Sequence, residues 1–414
     1  MFYGIQNYAF FNVNKLFGLI LVFVLRWISK RVAAKSTISA HRKHKIEFYE
    51  IFLSFALIIL LTVDLVFFML QFNNIDYGPI QIINGNQTQL HWYTKQRTPS
   101  VVQIENETYN DQSLQNYHNV LVNSSNFKFS VNNRLQQPNI QNSLPQVIKK
   151  FIVMTDVHLN NEYMISMDQN YDFNLMVGDY SFGGLPHEFA KCFSNIHHKP
   201  LLLAVGNHDE LGYISSIIQR PTNYYQQVGQ LGFFVINVLQ TGNIYSSQFV
   251  SKQRVDEALT FIKENLHIAD TAEHIFIASH HAVYSTGFYG SSEYFASKME
   301  QFLDQNSNSR IRAVFSGHDH VFASFKRNGV FFFVNGAGST AQDMTVSGKR
   351  EWSTNILNGP LERKSKNDWG YENHLKSFLR VTRTEVNIIQ NGLRFDVRDL
   401  ESQEIVATFD QIVS

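Results

Sequence analysis

The feature that most restricts how this chain can fold lies between residues 151 and 320. Five short apolar runs, Phe151–Thr155, Phe173–Val177, Leu201–Val205, His274–Ser279 and Ile311–Ser316, each lead into a polar motif. Runs of this length, rich in Phe, Val, Ile and Leu, suit strands buried on both faces better than helices. The motifs are Asp156-x-His158, Gly178-Asp179, Gly206-Asn207-His208-Asp209, His280-His281 and Gly317-His318-Asp319-His320. Between the runs, Val255, Ala258, Leu259, Ile262 and Leu266 recur at helical spacing, as do Phe295, Met299, Phe302 and Leu303. The alternation predicts an α/β fold, in which side chains at the carboxyl ends of strands converge on one crevice. Near the C-terminus the pattern changes. Glu385–Gln390 and Leu393–Arg398 flank Asn391-Gly392, the strongest short hairpin signal, so antiparallel strands are expected to finish the domain.

His, Asp and Asn are the donors expected for Mn, Fe or Zn held by oxygen and nitrogen. The single cysteine, Cys192, rules out an intrachain disulfide and a cysteine-based zinc site. Two ions about 3.5–4 Å apart need a bridging carboxylate and terminal ligands on each side, and the five motifs supply both. Any one motif is weak, since Gly-Asp and Gly-Asn are ordinary turn sequences; the weight lies in the ordered set. Lys and Arg balance Asp and Glu at 35 each, so no overall field points to nucleic acid.

The ordered set DVH, GDY, GNHDE, SHH and GHDH resembles the calcineurin-like metallophosphoesterase superfamily, from about residue 147 to the C-terminus. Within it, GNHDELG, PTNYY, HHAVYS, GHDH, FVNGAGS and the closing hairpin are most similar to the tartrate-resistant (purple) acid phosphatases. The resemblance implies a four-layer sandwich of two β-sheets flanked by helices, with two divalent metal ions at the sheet edge. It implies that Asp156, His158, Asp179 and His320 hold the first ion. Asp179, as bridge, Asn207, His280 and His318 would hold the second. His208 would be the general acid, and Asn207 and His281 would lie against a phosphate-ester substrate attacked in line by a metal-activated hydroxide. Two positions depart from the purple pattern in a compensating way. Phe182 stands where those enzymes carry a tyrosinate ligand, and His158 supplies an imidazole instead, which favours two divalent ions over a ferric centre. Tyr180 has the wrong spacing to replace that tyrosine. Glu210 and Ala282 replace the usual histidine and proline at substrate contacts, so the resemblance does not reach substrate specificity.

Upstream, no Asp or Glu precedes Glu47, while Arg26, Lys30, Arg31, Lys35, Arg42, Lys43 and Lys45 crowd the same region. Residues 1–70 are expected to be a membrane anchor, with Ile51–Leu70 as a bilayer span and 8–25 as a second hydrophobic stretch. The basic stretch on the cytosolic side would place the catalytic region on the exoplasmic or luminal side. The sequons at Asn86, Asn106 and Asn123 fall just beyond the span. The competing reading is mitochondrial targeting and the mitochondrial inner membrane. Residues 71–146, rich in Asn, Gln and Ser, read as a stalk or partner-wrapping arm, and 147–414 as the metallophosphoesterase domain. The rival functional reading is a phosphoesterase-like domain kept as a structural or docking subunit of a membrane complex.

Overall fold

A computed structural model describes residues 77–412, apart from 86, 105–106, 123–128, 132–144, 159–169, 182, 194–198, 211–220, 222, 241–248, 288, 308, 337, 339–373 and 379. They fall in the unit Asp76–Ser414. In chain order the strands are β1 (Tyr77–Asn84), β2 (Gln87–Ile104), β3 (Glu107–Val122), β4 (Phe129–Val131), β5 (Lys150–Met154), β6 (Phe173–Val177), β7 (Leu201–Ala204), β8 (Tyr224–Val228) and β9 (Leu231–Ile236). They continue as β10 (His274–Ser279), β11 (Ile311–Ser316), β12 (Phe322–Arg327), β13 (Val330–Asn335), β14 (His374–Phe378), β15 (Thr382–Ile389), β16 (Gly392–Asp399) and β17 (Ile405–Ile412). The longer helices are α1 (Pro186–Phe193), α2 (Lys252–Asn265) and α3 (Glu293–Gln305).

Among the described residues, one sheet runs β17-β16-β15-β5-β6-β7-β1-β2-β3, with β4 on β2, and the other runs β14-β12-β13-β11-β10-β9-β8. The sheets meet on phenylalanine. Phe151 stacks on Phe173 at 5.0 Å and meets Phe233 and Phe276 edge-on, while Phe315 and Phe395 both meet Phe333. Phe151, Phe173 and Phe395 belong to the first sheet and the others to the second, so this cluster is the inter-sheet core. Helices cover both outer faces. Phe189, Ala190 and Phe193 of α1 pack on Ile152, Met154 and Met176, and Val255, Ile262, Phe295 and Met299 of α2 and α3 pack on Phe234, Ile277 and Val314. Ser251 and Ser292 cap α2 and α3 by accepting from Arg254 N and Phe295 N. The layering is that of an α/β sandwich.

Two expectations need correction. The segment expected to be a stalk or arm holds β1, β2 and β3, which extend the first sheet through β1 parallel to β7. Its Ile80 and Ile82 join the core beneath α1, and Leu90, Trp92, Val102 and Val122 form a cluster of their own. The physical reason is the strand period of two. Apolar residues alternate with Gln, Asn, Ser and His, and several of these polar partners are buried as well, including Gln81, Gln89, His91 and His118. His118 meets Thr94 Oγ1 at 2.7 Å and Ser100 Oγ at 2.9 Å, with its ring stacked on Trp92. The second correction is the closing hairpin, whose ladder runs to the Ile389–Gly392 pair, so Gln390-Asn391 make the turn. Gly392 instead starts β16 with φ 147°, where a Cβ would collide with Gln411 O. No helix among the described residues is long and apolar enough to cross a membrane; the stretches 8–25 and 51–70 lie outside them.

Candidate metal centre

In the first sheet β5, β6 and β7 are parallel neighbours, and in the second β9, β10, β11 and β13 are. Each motif therefore leaves the carboxyl end of a parallel strand, and the two sets of ends face each other. The turns there are tight. Asp156, His158, Asp179 and His318 have φ of 54°, 44°, 53° and 72°, the left-handed region that costs non-glycine residues energy. Asp156 N and His158 N donate to Gly178 O and Asp179 O, extending the β5–β6 ladder through the motifs. Gly178 must be glycine: its φ is 90°, and a Cβ would lie 2.6 Å from His280 Nδ1 and 2.7 Å from the Gly206 backbone.

The residues gather in two overlapping sets. In one, His158 Nε2 lies 3.2 Å from His320 Nε2, and Asp156 Oδ1 lies 3.5 Å from His320 Nε2. In the other, Asn207 Oδ1 lies 3.0 Å from both His280 Nε2 and His318 Nδ1. Asp179 joins them: its Oδ2 is 3.3 Å from His280 Nε2 and 3.7 Å from His158 Nε2. Donor atoms sharing one cation at about 2.0–2.2 Å stand about 3.0–3.6 Å apart along the edges of its coordination shell, and most of these spacings fall there. Asp156, His158, Asp179, Asn207, His280 and His318 are all buried, and His320 is half-buried.

Hydrogen bonds set the ring orientations. The Nδ1–H of His280 donates to Val177 O at 2.8 Å, which leaves Nε2 to face two acceptors, Asn207 Oδ1 and Asp179 Oδ2. Three electron-rich atoms turned on one point call for a cation, so the residues fit a metal. The titration of His280 expresses the same demand. Burial alone would lower it, but the carboxylates of Asp179 and Asp156 outweigh burial and push it to about 10. Burial lowers His158 to about 3 and His320 to about 4, which keeps both neutral and able to ligate. Burial raises Asp156 to about 8 in the metal-free protein. Burial works against Asp179 too, yet His280 beside it holds its carboxyl well below the usual range.

A supporting shell surrounds these groups. Asp209 accepts from the backbone N–H of Asp179, Tyr180, Ser181 and Gly206, tying the β6 turn to the β7 turn and acting as an orienter rather than a ligand. His208 N donates to Asp179 Oδ1 at 2.9 Å, and its half-buried ring meets His158 edge-on at 4.9 Å. His281 stacks on His318 at 4.1 Å, and Tyr289 stacks on His318 at the same distance. The expected substrate contact His281 is thus buried against the ring of a candidate ligand. Tyr289 was not legible in the sequence, because the loop after His281 brings it in: its N–H donates to Asp319 Oδ1, while Ser285 Oγ donates to Oδ2. Thr155 donates to Asp156 Oδ2 at 2.6 Å, a role readable only from its place before the aspartate.

The departures noted in the sequence turn away from the site. Glu210 binds Arg254 and Asn237, and Ala282 packs in the core beneath α2 and α3. Burial pushes the Tyr180 phenol well above its usual value, which leaves it a protonated phenol rather than a tyrosinate ligand. Phe182 lies outside the described residues.

Residues 149–322 match the family model of the calcineurin-like phosphoesterases. No curated protein matches the sequence. Among solved structures, purple acid phosphatase PPD1 from yellow lupin (Lupinus luteus) seeds is similar with a TM-score of 0.56 at 10% identity, over 82% of this chain and 75% of that one. GAP50, described as the anchor in the inner membrane complex of Plasmodium, scores 0.48 at 16% identity over 64% of this chain and 89% of its own. A dimetal phosphatase from Danio rerio scores 0.41 at 9% identity over 64% and 99%.

Proposed function

We propose that the chain, whose residues 149–322 match the family model of the calcineurin-like phosphoesterases, is a dinuclear-metal phosphoesterase hydrolysing phosphate esters, with Mn, Fe or Zn as its ions. The observation that carries this reading is the position of Asp179, one of whose oxygens lies between the His158 and His280 nitrogens. Asp156, His158, Asp179 and His320 would hold one ion, and Asp179, Asn207, His280 and His318 the other. Bound there, the pair would activate water and neutralise charge on the phosphoryl group. The chain's own residues do the rest. His208, half-buried beside His158, donates a proton to the leaving alkoxide as general acid. The Asp209 carboxylate keeps the Asp179 turn fixed through its backbone hydrogen bonds. Tyr289 and His281 hold the His318 ring between them.

Metal analysis with a phosphomonoester assay tests this. Two ions per chain and hydrolysis are expected, with both lost in Asp179→Asn. A metal-free, inactive protein that Asp179→Asn leaves unchanged would sink the enzyme reading. That outcome would favour the rival, a structural or docking subunit of a membrane complex, which draws support from Glu210 and Ala282 being engaged away from the site. We also propose that residues 1–70 anchor the protein in a membrane with the site on the exoplasmic or luminal side, the mitochondrial inner membrane being the alternative. Sequence alone supports this anchor, and protease protection of sealed vesicles tests it.

A further inference from the structure

At the end of the second sheet remote from the metal centre, a cavity of about 240 Å³ opens between the end of α3, the β12–β13 turn and the last residues of β17. Arg312, Lys326, Asn306, Ser309 and Gln411 are among its lining residues. Arg312 stands at a β-bulge: Ile275 pairs with Ile311 and Phe276 with Ala313, so Arg312 is the extra residue in β11. Bulges re-aim side chains and recur at functional sites.

Among the described residues that line the cavity there are two cations and no acid. Arg312 Nε is buried and makes no hydrogen bond, and no carboxylate pairs with Arg312 among the described residues. Burial and then the nearby Arg310 both lower the Arg312 guanidinium. The Lys326 ammonium sits over the Phe331 ring at 4.5 Å rather than on an acid. The surrounding titratable groups do not supply the missing charge. Asp270 pairs with Arg310 at 3.7 Å, Asp304 accepts from the Asn328 amide, and burial and then Arg312 lower the His274 imidazole against Glu273, which raises it. Gln411 adds a buried Oε1 that accepts no hydrogen bond, although its Nε2 donates to Gly329 O.

We propose that this cavity binds inorganic phosphate, with Arg312 and Lys326 contacting its oxygens and Gln411 Oε1 accepting from its P–OH group. Two cations and one acceptor match hydrogenphosphate, which offers both acceptor oxygens and a donor, whereas sulfate lacks the donor. The site is independent of the metal centre and of the enzyme reading.

Isothermal titration calorimetry with inorganic phosphate tests it on the full chain carrying Asp179→Asn, and on the wild type in chelator, so that the metal centre does not contribute. One site is expected, weakened at least about tenfold by Arg312→Met and by Lys326→Met, the loss that follows when a charge-assisted contact is removed. Sulfate is expected to bind more weakly. Thermal unfolding in phosphate-free buffer checks that Arg312→Met still folds, and Lys326→Met decides if it does not. No phosphate binding, binding that both substitutions leave unchanged, or equal binding of sulfate would overturn the assignment.

Discussion

Asp156, His158, Asp179 and His318 are four of the six non-glycine residues with positive φ among the described residues, and all four are candidate ligands. Each such conformation costs on the order of 1–3 kcal/mol and persists only where its surroundings over-determine it. The surroundings here are the Asp209 carboxylate, which gathers four backbone N–H groups at the strand ends, and the Asp156 carboxylate, which takes the His318 N–H on both oxygens. His208 holds Asp179 Oδ1 through its backbone N–H, a contact that His208→Ala keeps, while its imidazole stands in one group with His158 and Asp179. His208→Ala is expected to lower kcat by about 10²–10⁴-fold with metal content unchanged, read by steady-state kinetics beside metal analysis; an unaltered kcat would remove His208 from the mechanism. Metal uptake should also release protons. At neutral pH the metal-free protein carries protons on His280, held up near 10, and on Asp156, held up near 8, and ligation must displace them. Affinity is therefore expected to rise as pH rises from 7 towards 10. Calorimetry in buffers of different ionisation enthalpy should show proton release, and a buffer-independent enthalpy would contradict it.

Elements differed in how far they could be read in advance, and burial explains the difference. The β6, β10 and β11 runs are buried along nearly their whole length, so each is a block of apolar residues with sharp ends, and their boundaries were legible. The ligand motifs were legible for the same reason, since each interrupts an apolar block. β2 buries apolar and polar residues alike, β3 buries only His118 and Val122 among its described side chains, and composition averaged over such strands resembles a linker. Tyr289 and Ser285 reach the centre through loop geometry, which no local pattern encodes. α3 follows that loop directly, with Ser292 as its cap. Ser292→Ala is expected to cost about 1 kcal/mol, measurable by chemical denaturation; no loss would mean that the cap is satisfied by other means.

Across the whole molecule, the C-terminal strands are bound to the first sheet by charge as well as by ladder. Glu385 on β15 takes Lys150 of β5 at 2.7 Å, Arg383 at 2.7 Å and Arg398 of β16 at 2.6 Å. Burial alone would raise its carboxyl, but hydrogen bonds from Arg398, Lys150 and Arg383 outweigh burial and hold it at about 2, below the ordinary 4.5. A depressed carboxyl stabilises the fold fully above about pH 4.5 and loses that contribution as pH falls through 2. Glu385→Gln is expected to cost about 3 kcal/mol at neutral pH, because it strands the buried Arg383, and to flatten the acid limb of the stability profile. Denaturation series between pH 7 and pH 2 test both, and parallel acid limbs for the two proteins would refute the second. The strand order also governs how this fold bears force. The described chain enters the sheet at Tyr77, and β1 runs parallel to β7, whose far end leads to Asn207. A pull applied at Tyr77 along the axis of β1 points away from the candidate metal end. Such a pull loads the β1–β2 ladder and the Ile82–Leu201 pairing to β7 in shear, together, instead of peeling them apart in turn.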